Sequence, residues 1–187
     1  MTKTKLIAAI LLSGLGLTAQ GQSVGWGRGT MGFRLREIGP KSAAAIAGLR
    51  PGDVIEDPAT ITSRIRNAGV EGAVLVYHRQ DSTNRHRKSL ATVHFAEGAE
   101  RRLGVMGDWG FLILKSQQGG VADRVGLIEG DFVTKVNETW VHSIPELKLI
   151  DKAVESGAPA EIHYFRREAG SKSYASGILK FPPKGTN

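Results

Sequence analysis

The sequence predicts a mainly β protein with short helices (an α+β chain), laid out as two copies of one unit in tandem. Three observations carry that prediction. The phrase Gly-Leu-x-x-Gly-Asp stands twice, at Gly48–Asp53 and Gly126–Asp131. The same offset of 78 residues carries Gly32-Phe33 onto Gly110-Phe111, Gly29 onto Gly107 and Ala44 onto Ala122. Ungapped self-similarity of this kind marks an internal duplication. Finally, β-branched and aromatic runs such as AVLVYHR, ATVHF and AEIHYFR are separated by glycine-containing breaks, as short strands are. The copies are expected over residues 22–97, the first shortened, and 98–183, with a tail at 184–187. Their boundary falls near AEGAERR, Ala96–Arg102.

The elements can be justified in order. VGWGRGTMGFRL and RRLGVMGDWGFLIL each read as two short strands joined by Gly29-Thr30 or Gly107-Asp108, since glycine opens a two-residue II′ hairpin. A small-residue helical turn follows, SAAAIA in one copy and GGVADRV in the other. Gly48 and Gly126 can end it in the left-handed conformation. Gly52-Asp53 and Gly130-Asp131 then turn the chain into the next strand. A longer helix comes after. In the first copy Asp57 is placed as cap and Pro58 as first helical residue, with Ile61, Ile65 and Ala68 on one face. In the second, Ser143–Glu146 spells a capping box, and Leu147, Ile150 and Val154 share a face. Two strands close each copy, and Pro182-Pro183 end the ordered chain. Between the Gly-Asp turn and the long helix the second copy spends about nine more residues than the first.

The first 21 residues differ from the rest. Lys3 and Lys5 precede the apolar run LIAAILLSGLGL, and small residues follow. That order predicts a secretory signal peptide over residues 1–21, cut after Gly21 or Ala19. The rival reading is a retained anchor, but the run is shorter than the ~20 residues that span a bilayer. An exported protein, periplasmic or secreted, is expected. The chain has no cysteine, which removes disulfides, thiolate catalysis and Cys-ligated metals. The formal net charge of +7 falls to +5 without Lys3 and Lys5, a modest excess. Its densest stretch, RQDSTNRHRK at Arg79–Lys88, reads as a polar hairpin loop rather than a nucleic-acid site.

GFRLREIGPKSAAAIAGLRPGDVI at Gly32–Ile55 and GFLILKSQQGGVADRVGLIEGDFVTKVNETWVHSIPEL at Gly110–Leu147 resemble the bacterial PDZ domain attached to exported proteases of the HtrA type. The resemblance covers nearly all of residues 22–183, as two copies, without the protease domain. It implies two partly open β-barrels in tandem. It also implies that the last residues of a partner protein lie between the second strand and the longer helix, by β-augmentation. The family holds the terminal carboxylate on backbone N–H groups of a hydrophobic-Gly-hydrophobic loop, and such consecutive N–H groups form an anion-binding nest. Leu103-Gly104-Val105 matches that loop. Val105 and Met106 would then offer the pairing edge, and Leu147 with Ile150 the helix wall, although taken singly those two read first as core residues. In the first copy the matching loop is irregular. Trp26 stands at the glycine position, and Trp26-Gly27-Arg28 is a possible second peptide site only after a one-residue slip.

Neither a serine-nucleophile setting nor a His-x-x-x-His zinc pattern occurs, so no catalytic residue, metal or other cofactor is assigned. His78, His86, His94, His142 and His163 read as surface or internally satisfied side chains, and VNET at Val136–Thr139 as a strand-to-strand turn. The expected function is a non-enzymatic interaction module that binds protein C-termini, mainly through the second copy. A structural or assembly module, or a regulatory subunit of a separate protease, is the alternative.

Overall fold

The computed structural model describes residues 26–181 apart from 84, 99, 169, 170 and 172, with the backbone alone at 58, 59, 150 and 153. The expected signal peptide over 1–21, Pro182-Pro183 and the tail over 184–187 lie outside the described residues.

The first copy contributes β1 (Arg28–Ile38), α1 (Ala43–Ile46), β2 (Val54–Glu56), α2 (Pro58–Arg66), β3 (Ala73–Gln80) and β4 (His86–Val93). The second contributes β5 (Val105–Lys115), α3 (Val121–Arg124), β6 (Phe132–Val136), β7 (Thr139–Trp140), α4 (Ile144–Glu155), β8 (Ala160–Arg167) and β9 (Tyr174–Phe181). Apart from β7, the elements correspond one to one. The extra residues of the second copy make β7 and the turn before it, where Asn137 has φ +50 and its Oδ1 accepts the Glu161 N–H at 2.8 Å.

The mainly β expectation holds, but the strands form one antiparallel sheet that does not close, rather than two separate barrels. Its order is β4-β3-β2-β1-β5-β6-β8-β9, with β7 beside β6. The halves join because β1 and β5 run straight through the positions read as hairpins. They pair with each other from Arg28↔Lys115 to Ile38↔Val105. Gly29 and Gly107 are therefore not turn residues. A Cβ on Gly29 would lie 2.4 Å from Cζ of Phe111, and one on Gly107 would lie 2.9 Å from Cε1 of Phe33. Glycine is needed there so that a cross-strand ring can lie over bare backbone.

Gly32 pairs with its own repeat equivalent, Gly110, and the flanking rungs Met31↔Phe111 and Phe33↔Trp109 exchange under the repeat offset. A local two-fold axis thus passes through the Gly32–Gly110 rung. Beyond it, each strand delivers its leading residues to the other copy. Trp26, fully buried, packs in the core of the second copy with Phe111, Val121, Leu147, Val154 and Ile162. Leu103 packs in the core of the first copy with Leu35, Leu49, Ile61, Ile65 and Leu75. A third, central cluster joins Val54, Leu112 and Phe132. The copies have exchanged their first strand segments.

The repeated phrase keeps the same bonds in both halves. The Leu49 N–H donates to Ala44 and the Leu127 N–H to Ala122, closing α1 and α3. Leu35 N–H donates to the Asp53 carbonyl at 2.8 Å, and Ile113 N–H to that of Asp131 at 2.9 Å. Ile61 and Ile65 are buried on α2, as the periodicity requires, with Ala68 buried just past its end, and Leu147 and Val154 are buried on α4. The capping box of α4 is present, with Glu146 accepting the Ser143 N–H at 2.8 Å. Asp57 departs from its expected role: it takes φ +52, and its carboxylate accepts the Thr60 hydroxyl rather than a backbone N–H.

Candidate functional site

The strand exchange decides where the Leu-Gly-Val loop finds its helix. Leu103 and Val105 point into the first core, against Ile61 and Ile65 of α2 rather than against α4. Leu147 is fully buried in the other core, with Trp26. The expected wall of Leu147 and Ile150 is thus not brought to Leu103, Gly104, Val105 and Met106; the Ile150 side chain lies outside the described residues. Instead a groove of about 1190 Å³ opens between the loop and α2. Ile61, Thr62, Ile65 and Arg66 wall it on the helix side, and Leu103 to Met106 on the strand side. It is composite, with its helix from one copy and its loop from the other.

The loop is held rigidly. Gly104 has φ +71, a region where only glycine is free of strain. Its carbonyl accepts the Gly39 N–H at 2.9 Å, and the Leu103 carbonyl accepts the Ala44 N–H at 3.1 Å. Cβ of Ser42, the cap of α1, would lie 2.6 Å from a Cβ on Gly104. Both loop carbonyls are therefore committed inward. Among the described residues the N–H groups of Leu103 and Gly104 have no backbone acceptor. Successive free N–H groups around a left-handed residue form a concavity that attracts an anion. Arg66, Arg101 and Arg102 stand at that end of the groove, against Glu100 and Glu37. Arg101 Nη1 donates to the carbonyl of Arg66 at 2.7 Å, and Arg102 pairs with Glu100 at 2.5 Å. The local balance is positive.

One edge of β5 is open beside this loop. Ile113 bonds to the β6 side, donating to Asp131 and accepting from Gly130. Strand periodicity then turns the N–H and C=O of Val105, Gly107 and Trp109 toward the same edge. Pairing with β6 covers only Phe111 and Leu112, so among the described residues no strand occupies that edge from Val105 to Trp109. The expectation that a turn at Gly107-Asp108 cuts this strand short is corrected: the edge is continuous.

The counterpart place in the second copy is filled. Trp26 is fully buried against Leu147 and Val154, so it plugs the space that the groove leaves open on the other side. Gly27 has φ +102, and a Cβ there would sit 2.2 Å from the Lys115 carbonyl oxygen. Arg28 is exposed and pairs with Lys115.

Two polar features escaped the sequence reading. The aspartate of each repeated phrase is nearly or fully buried and takes a two-pronged arginine: Arg79 on Asp53 at 2.8 and 2.7 Å, and Arg166 on Asp131 at 2.7 and 2.6 Å. Each arginine also donates to the carbonyl of the helix-ending glycine, Gly48 or Gly126. The signal was available, because Tyr77-His78-Arg79 and Tyr164-Phe165-Arg166 repeat a Tyr-x-Arg pattern on β3 and β8. The other feature lies across the exchange. Arg34 on β1, 4% exposed, binds Asp108 on β5 at 2.6 Å and stacks 3.7 Å above the Phe165 ring. Burial lowers its pKa, and the Asp108 carboxylate opposes that shift.

The histidines also sort themselves. His78 is buried and binds Glu56 at 2.5 Å, while Lys88 holds the other oxygen of that carboxylate. His86 is not a loop residue. It opens β4, and both its ring nitrogens are buried without a partner among the described residues. Burial, then repulsion from His78 and Arg167, lowers its pKa to about 4 against the pull of Asp81. Among the described residues no three His, Asp or Glu are grouped to hold a metal ion, and no helix is long and apolar enough to cross a membrane. No family model matches the chain, and no curated protein matches it.

Proposed function

We propose that the chain is an exported, non-enzymatic interaction protein of two PDZ-like units that have exchanged their first strands. It captures the free C-terminal end of another protein in the groove between Leu103–Met106 and α2. The observation that carries this reading is the coincidence of three things in one place. Among the described residues a strand edge is open from Val105 to Trp109 and the Leu103 and Gly104 N–H groups have no backbone acceptor, while Ile61 and Ile65 supply an apolar wall. An extended peptide antiparallel to β5 would bond to Val105 and Gly107 and end with its carboxylate at the loop. Its last side chain would enter the space over Leu103 and Ile65. Main-chain bonds then supply affinity and the pocket supplies selectivity. The order of residues 1–21 supports export.

The test is fluorescence anisotropy with a labelled peptide ending in leucine, as the free acid and as the amide. The acid is expected to bind and the amide to lose at least tenfold in affinity. Equal affinities rule out carboxylate capture. One observation favours a second reading, an assembly module that reads no C-termini: Trp26 closes the equivalent space of the second copy. A free-acid peptide library with no binder at all would select that reading.

A further inference from the structure

We infer that the groove recognises five residues rather than only the terminal ones, with a second anchor for an aromatic or large apolar side chain on Trp109. This rests on the peptide-capture reading above. Trp109 is a large apolar side chain left 38% exposed in the sheet, and it lines the groove at the end away from the loop. Phe33 of β1, directly across the ladder, packs its ring 5.0 Å from the Trp109 ring at a tilt of 58°. The indole is therefore held from one side and open on the other. Its backbone lies on the same open edge as Val105 and Gly107, so a strand added there continues to it.

The register follows from period-two geometry. Successive open-edge positions are two residues apart, so a chain whose last residue faces Val105 places its third-last opposite Gly107 and its fifth-last opposite Trp109. Directly opposed residues project to the same face with Cβ atoms about 5 Å apart. The span from Val105 to Trp109 is about 13 Å, the reach of five extended residues. At the middle position Gly107 contributes no side chain of its own and the Phe33 ring lies over its backbone, so the third-last residue meets that ring and, from the helix, Thr62. The strand thus presents its own side chains at its two ends, Val105 and Trp109, with only the cross-strand Phe33 ring between them. The occupant it fits is an extended C-terminus with large apolar residues at the last and fifth-last positions. The positive balance of Arg66, Arg101 and Arg102 at the loop end favours the orientation that brings a carboxylate there.

The experiment uses the whole chain and two free-acid pentapeptides ending in leucine, one with tryptophan and one with glycine at the first position, each also as the amide. The tryptophan peptide is expected to bind roughly threefold to tenfold more tightly, the range of a cross-strand aromatic pair. That ratio should collapse toward one in Trp109→Ala, and in Trp109→Thr, which keeps strand propensity should the alanine variant fold poorly. Circular dichroism and the melting midpoint confirm that each variant is folded. A ratio of one in the wild type, or a ratio that persists in both variants, overturns the second anchor. If acids and amides bind alike, the parent reading fails instead, and the anchor falls with it.

Discussion

Replacing Trp26 by alanine is expected to loosen the second half of the molecule, although Trp26 belongs to the first repeat. The side chain is fully buried among Phe111, Val121, Leu147, Val154 and Ile162. A buried indole hides roughly 150–250 Å², which at ~25 cal/mol per Å² is worth about 4–6 kcal/mol as an upper bound. The Nε1–H has no partner among the described residues, which offsets roughly 1–3 kcal/mol. The expected net loss is therefore about 3 kcal/mol, the low end of the range for Trp-to-Ala in a core. Urea unfolding gives the magnitude, and hydrogen exchange gives the place. Amides of α3, α4 and β8 should lose protection, while those of β3 and β4 keep theirs. A loss below ~1 kcal/mol, or protection lost first in β3 and β4, would refute the strand exchange and with it the composite groove.

Two further outcomes follow from the polar groups. Asp108→Ala leaves the Arg34 guanidinium buried without its carboxylate, and removing one partner of a buried pair costs about 3–5 kcal/mol, read from the shift in the urea midpoint. Arg34→Met with Asp108→Ala should recover much of that loss, and no recovery would contradict the assignment. His86 has a folded-state pKa near 4, below its ordinary value of 6.5, so the fold favours the neutral ring. Its stabilisation is complete above pH ~6.5 and is lost as pH falls toward 4, by roughly 3 kcal/mol in all. His78, Arg167 and Asp81 are the charged or titratable groups that set this shift. Stability measured from pH 7 to 4 in the wild type and His86→Gln should show a shallower acid slope in the variant. Parallel slopes would place the acid sensitivity elsewhere.

The candidate site could be read from the sequence in part. Leu103-Gly104-Val105 announces a loop by its central glycine between apolar neighbours, and the structure places that glycine at φ +71 with both loop carbonyls committed. The helix that faces the loop could not be read. Ile61 with Ile65 in one copy, and Leu147 with Ile150 in the other, both follow helical spacing, and either pair could wall a groove. Gly29 and Gly107 were ambiguous for another reason. A glycine between strand-like residues serves a tight turn and a close ring contact equally well, and only the partner strand tells them apart.

By itself the sequence determined the duplication, the helices with the faces they bury, and the helix stop and turn of the Gly-Leu-x-x-Gly-Asp unit. These depend on local spacing: a period of two or 3.6, a cap, a left-handed glycine. The tertiary structure alone decided which strand lies beside which. A strand's hydrogen-bonding edge is backbone and nearly blind to its own side chains, so alternation names the buried face but not the neighbour. Here the neighbour is fixed at long range, by Trp26 in one core and Leu103 in the other, with Gly32 and Gly110 meeting at the axis between them.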